Sequence, residues 1–89
     1  MPKISWNKAF IKILEKFFKK HPELRKRFYE RVCLLRDEPQ NLKLKNHKLE
    51  GTLKDFNAIS IDQDNRLVFY ADNDGTFILF DIGPHDDVY

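Results

Sequence analysis

At 89 residues the chain has room for one domain and one core. A hydrophobic fraction of 42% with eight Phe is enough to build that core without cross-links, and the single cysteine, Cys33, excludes an intramolecular disulfide. No apolar run approaches the ~20 residues of a membrane span, and the Met-Pro-Lys-Ile start lacks the apolar segment of a signal peptide, so a soluble, cytoplasmic protein with no membrane role is expected. The net charge of +2 conceals a polarity: residues 1–54 carry 15 Lys/Arg against 6 Asp/Glu (+9), and residues 55–89 carry one Arg against 8 Asp (−7). A basic half of this kind either is a solvated face or meets a polyanion or an acidic protein.

In chain order, residues 2–6 are a candidate short strand. From Asn7 to about Lys20 the apolar residues Phe10, Ile11, Ile13, Leu14, Phe17 and Phe18 recur at helical spacing, with lysines on the opposite side. Asn7 is a plausible N-cap. His21-Pro22 interrupts the pattern, because a residue before Pro avoids the helical region while Pro suits a first helical position. A second helix is expected from Pro22 to about Asp37, with Leu24, Phe28, Val32 and Leu35 stepping by four, four and three. Cys33 is read as a packed thiol on that helix, and His21 as a capping or surface residue.

Residues 40–54 have the texture of a loop, with Leu42, Leu44, Leu49 and Leu53 set among lysines. Residues 56–62 alternate, Ile59 and Ile61 on one side and Ala58 and Ser60 on the other, as a half-buried strand does. Asp62–Asn65 is a turn by composition, 66–71 a second strand, Asp72–Gly75 a second turn and Thr76–Ile82 a third strand. Phe77–Phe80, apolar on successive residues, suits a central strand covered on both faces. The expected class is α+β: two antiparallel N-terminal helices packed on one face of a small antiparallel sheet.

The motifs His47-Lys-Leu49-Glu-Gly51, the strand–acidic turn–strand run through Asp62–Asn65, and Gly83-Pro-His85 with Tyr89 four positions on resemble those of the RelE/ParE superfamily of toxin–antitoxin toxins, most closely its YafQ-like branch. The layout covers nearly all of residues 1–89, as a single toxin domain, and the specific motifs lie in 47–89. The resemblance implies a ribosome-dependent mRNA endoribonuclease, needing no metal or other cofactor and held inactive by a cognate antitoxin. In that chemistry a 2′-hydroxyl attacks the adjacent phosphorus. Histidine suits the proton transfers because its pKa lies near working pH, and cations suit the phosphate charge. Carried over by position, His85 and His47 are the acid–base pair, Asp64 the acidic turn residue and Tyr89 the terminal aromatic that stacks on a base. Arg66, Lys45, Lys48 and Lys54 are candidate phosphate contacts.

Three positions depart from the branch. Ser60 stands where a further histidine is usual, Asp81 where an arginine is usual and Asn65 where a tryptophan is usual. Loss of a transition-state cation costs about 2–4 kcal/mol. Two other readings therefore stay open: a ParE-like toxin that inhibits DNA gyrase, and a degenerate toxin with little or no nuclease activity. A metal site built from Asp81, His85, Asp86 and Asp87 lacks an established ligand spacing.

Overall fold

The computed structural model describes residues 3–84, in which two helices lie against one face of a five-stranded mixed sheet. The strands are β1 (Ile4–Trp6), β2 (His47–Lys48), β3 (Asn57–Ser60), β4 (Asn65–Ala71) and β5 (Phe77–Pro84), in the order β1-β5-β4-β3-β2. The helices are α1 (Lys8–Lys20) and α2 (Arg25–Asp37).

Two features of the expected fold are corrected. The sheet begins before the helices, and it is not wholly antiparallel: β1 pairs in parallel with β5, Ile4 beside Phe77 and Trp6 beside Leu79. A three-residue strand is too short to show alternation, so its pairing is invisible until β5 presents an edge. The central strand is β4, and β5 lies second from the edge, between β1 and β4. The segment 40–54 holds β2 and two 3-10 turns, Leu42–Leu44 and Gly51–Leu53.

Local chemistry accounts for the helix ends. The Asn7 side chain accepts the Phe10 N–H at 3.0 Å, satisfying one of the amides that a helix start leaves unpaired. Lys19 and Lys20 lie in the last turn, where the helix dipole favours cations. The His21 N–H closes α1 on the Phe17 carbonyl at 2.8 Å, and Pro22–Leu24 form a 3-10 turn before α2. Phe10, Leu14, Phe17 and Phe18 of α1 and Phe28, Val32 and Leu35 of α2 are buried. They pack on Ile59, Ile61, Leu67, Phe69, Leu79 and Ile82 of the sheet. Cys33 is exposed, a correction to the packed thiol, because Val32 and Leu35 take the buried side of α2.

The opposite sheet face buries Ala58 and Val68 beneath Leu49, with Leu53 and Phe56 packed against them. Segment 49–56 thus folds back over the sheet, tied by Leu49 N–H to the Phe56 carbonyl at 3.0 Å. Strand β5 carries a β-bulge: Val68 pairs with Asp81 but Phe69 with Leu79, leaving Phe80 extra. Leu79 and Ile82 both reach the helix-side core, so Phe80 and Asp81, successive residues, fall between them on the other side.

Candidate functional site

The strand register relates several of the sequence-derived residues to one another. It sets them in rows. His47 pairs with Ala58, Ala58 with Val68 and Val68 with Asp81. Two residues along, Ser60 pairs with Arg66 and Arg66 with Gly83. Neighbouring strands are about 4.8 Å apart, which separates the Cα atoms of His47 and Asp81 by roughly 14 Å.

His47 is exposed, and its Nδ1 lies 2.8 Å from the Lys45 carbonyl. A carbonyl can only accept, so Nδ1 is the donor in this contact. Lys45 supplies that carbonyl from a left-handed backbone (φ 50°, ψ 41°), an uncommon conformation for a lysine. Lys45, Lys48 and Lys54 are exposed. His47, Lys48, Leu49, Glu50, Thr52 and Leu53 line a hollow of about 420 Å³.

The turn between β3 and β4 is organised by Asp62, a residue that the sequence reading passed over. Its Oδ1 accepts the Asp64 N–H at 3.0 Å, the Asn65 N–H at 2.8 Å and the Asn65 side-chain amide at 3.0 Å. Burial pushes this carboxyl up. The bonds from Asn65 and Asp64, with nearby His21, outweigh that and hold it below its ordinary value. The signal was in the sequence, since Asp followed by Asn three residues on is an Asx-turn pattern. Asp64 is exposed at the turn tip. Arg66 is half-buried, its Nη1 donating to the carbonyls of Asp62, Gln63 and Asn65 at 3.2–3.3 Å. Its guanidinium therefore stays beside the turn.

Ser60, nearly buried, donates its hydroxyl to the Asp62 carbonyl at 2.9 Å. Asp81 accepts the Ile82 N–H at 2.9 Å. Asn65 takes its place in the turn, which leaves no aromatic there. His85 and Tyr89, with Asp86 and Asp87, lie outside the described residues. Among the described residues, no three His, Cys, Asp or Glu side chains cluster as a metal site. No described helix is long and apolar enough to cross a membrane.

Two helices on one face of a sheet of this order define the architecture of the RelE/ParE toxins, and a YoeB/ParE toxin from Agrobacterium tumefaciens shares it (TM-score 0.75 over 93% of this chain and 98% of that one, 14% identity). A family model described as "Bacterial toxin of type II toxin-antitoxin system, YafQ" matches residues 2–89, and the chain belongs to that family. A metal-bound toxin from Helicobacter pylori is 32% identical over the whole of both chains, with a TM-score of 0.80. YafQ from Escherichia coli in its complex with DinJ is 16% identical, covering 100% of this chain and 99% of that one with a TM-score of 0.78. No curated protein matches the chain.

Proposed function

We propose that this chain is the toxin of a toxin–antitoxin pair and cleaves mRNA on the ribosome by metal-independent acid–base chemistry. The observation that supports the reading is His47, an exposed imidazole whose Nδ1 lies 2.8 Å from the Lys45 carbonyl, in a segment whose Lys45, Lys48 and Lys54 are exposed. Its Nε2 takes the proton of a 2′-hydroxyl as that oxygen attacks phosphorus. The P–O5′ bond breaks, and His85 gives a proton to the departing oxygen, leaving a 2′,3′-cyclic phosphate and a 5′-hydroxyl. Lys45, Lys48 and Lys54 offset phosphate charge, Arg66 and Asp64 serve the turn side, and Tyr89 stacks on a base.

The partner proposed is a cognate antitoxin, as the complex of E. coli YafQ with DinJ suggests, with a segment of acidic character to meet the +9 of residues 1–54. Primer extension on mRNA from cells expressing the chain tests the nuclease. New 5′ ends within translated codons, lost with His47→Ala or His85→Ala, are expected; no new ends in the wild type would exclude it. Ser60 and Asp81, neither an imidazole nor a cation for phosphate, favour a second reading as a ParE-like inhibitor of DNA gyrase. A supercoiling assay with purified gyrase separates the two. An inactive toxin is excluded if induction arrests growth.

A further inference from the structure

His47 belongs to a strand of two residues at the edge of the sheet, His47 paired with Ala58 and Lys48 with Asn57. So short a strand has little backbone pairing with which to hold an exposed side chain in one place. The residue before it supplies what the strand lacks. Asn46 is half-buried, and both ends of its side-chain amide are engaged. Its Nδ2 donates to the Pro39 carbonyl at 3.1 Å, and its Oδ1 accepts from the Asn57 Nδ2 at 3.1 Å. One bond reaches the loop that follows α2, and the other reaches β3. Asn57 is itself half-buried.

Covalent geometry gives this clamp its bearing on His47. The carbonyl that meets His47 Nδ1 at 2.8 Å belongs to the peptide unit joining Lys45 to Asn46. That unit is planar, so its orientation is governed by two torsions, ψ of Lys45 and φ of Asn46. On one side stands the left-handed Lys45, whose N–H is tied to the Leu42 carbonyl at 3.2 Å. On the other stands Asn46, whose side chain is tied twice. The place calls for an amide. The Pro39 carbonyl needs a donor and the Asn57 Nδ2 needs an acceptor; Asn offers both, whereas an ionised Asp of the same shape offers acceptors alone.

We propose that Asn46 and Asn57 are positioning residues for His47, holding the Lys45–Asn46 peptide so that its carbonyl orients the imidazole for the RNA 2′-hydroxyl. The inference rests on the reading of His47 as the general base. Both amides act through the backbone and not on the RNA, so they govern how often the bound substrate meets a correctly turned ring. Their loss should therefore appear in kcat and leave KM nearly as it was.

The test joins a spectroscopic reading of the imidazole with cleavage kinetics, both on the full chain. Nitrogen-15 shifts of the histidine rings at about pH 8, where an ordinary imidazole is neutral, report which ring nitrogen carries the hydrogen. In the wild type His47 is expected to carry it on Nδ1. Asn46→Ala and Asn57→Ala should each shift it toward Nε2. Each should also lower kcat on programmed ribosomes about tenfold or more, with KM changed by less than about twofold. The double variant should be no slower than the slower single one, since the two amides work through one link. Asn57→Ala leaves the Pro39 bond in place, so it answers the question even where Asn46→Ala fails to fold. A His47 ring that keeps its hydrogen on Nδ1 in the variants, with kcat unmoved, overturns the proposal. So does a wild-type ring protonated at Nε2, or a fall in kcat that merely follows the folded fraction. Loss of the Nδ1 signal in a protein that yields no new mRNA ends would sink the general base and support the clamp, while cleavage untouched by either substitution would do the reverse.

Discussion

His47 and Asp81 stand at opposite ends of one row across the sheet, joined through Ala58 and Val68. The two middle residues are apolar and buried beneath Leu49, so the row has a polar group at each end and a dry centre. Such a division leaves the proposed general base, His47, at the β2 end of the row. It predicts that His47→Ala lowers cleavage about 10²- to 10⁴-fold, the usual worth of a general base. Because the side chain is exposed, the melting temperature should hardly move. Single-turnover cleavage on programmed ribosomes and thermal unfolding of the same preparations check the pair of outcomes.

The Asp62 turn yields a stability prediction with a defined pH sense. Asp62→Ala removes the acceptor of three N–H bonds and should cost about 1–3 kcal/mol in urea denaturation at pH 7. The folded-state pKa of Asp62 is lowered, so its contribution is fully present above the unfolded value of about 3.9 and disappears as pH falls through the lower folded value. Wild-type stability should therefore drop more steeply than that of the variant as pH is taken from 5 to 2. Parallel curves would show that the carboxylate is not what the turn depends on.

The sequence revealed features governed by nearest neighbours along the chain. Both helices, the Asn7 cap, the break at His21-Pro22 and the alternation of Ala58 through Ile61 all follow from local pattern. What stayed hidden depends on long-range pairing. Nothing in Ile4–Trp6 announces a parallel partner seventy residues on, and nothing in Phe77–Phe80 says that a bulge will turn Phe80 and Asp81 to the same side. The site divides in the same way. His47 stands out in the sequence by its motif, but the Lys45 carbonyl that meets its Nδ1 comes from a left-handed backbone that no spacing rule foretells.

Two turn positions should respond to glycine exchange in opposite senses. Gly75 has φ +86°, and a Cβ added there would meet nothing within 4 Å, so Gly75→Ala carries backbone strain alone, about 1–2 kcal/mol. Lys45, at φ 50°, bears that strain already, and Lys45→Gly should stabilise the fold by up to about 1 kcal/mol after the entropy of glycine is subtracted. The same change removes a cation beside His47 and loosens the carbonyl that orients it. Cleavage should fall while stability rises. Chemical denaturation and cleavage rates measured together would expose the prediction as mistaken if both moved the same way.

The segment that carries His47 is pinned on both sides of the sheet. Leu44 is fully buried in the helix-side core, whereas Leu49, five residues later, is buried on the opposite face. Between these anchors the chain must cross the sheet edge, and it does so at β2, where His47 is presented. Leu44→Ala should cost about 2–5 kcal/mol through the cavity it leaves, and Leu49→Ala should be similarly costly on the other face. Leu42 is 90% exposed two residues before Leu44, and Leu42→Ala should stay within about 0.5 kcal/mol. If the anchors hold the imidazole in place, conservative Leu44→Val and Leu49→Val variants that remain folded at assay temperature will lose cleavage beyond the loss of folded protein. Residual activity that merely tracks the folded fraction in urea titrations would show that β2 is held by its pairing with β3 alone.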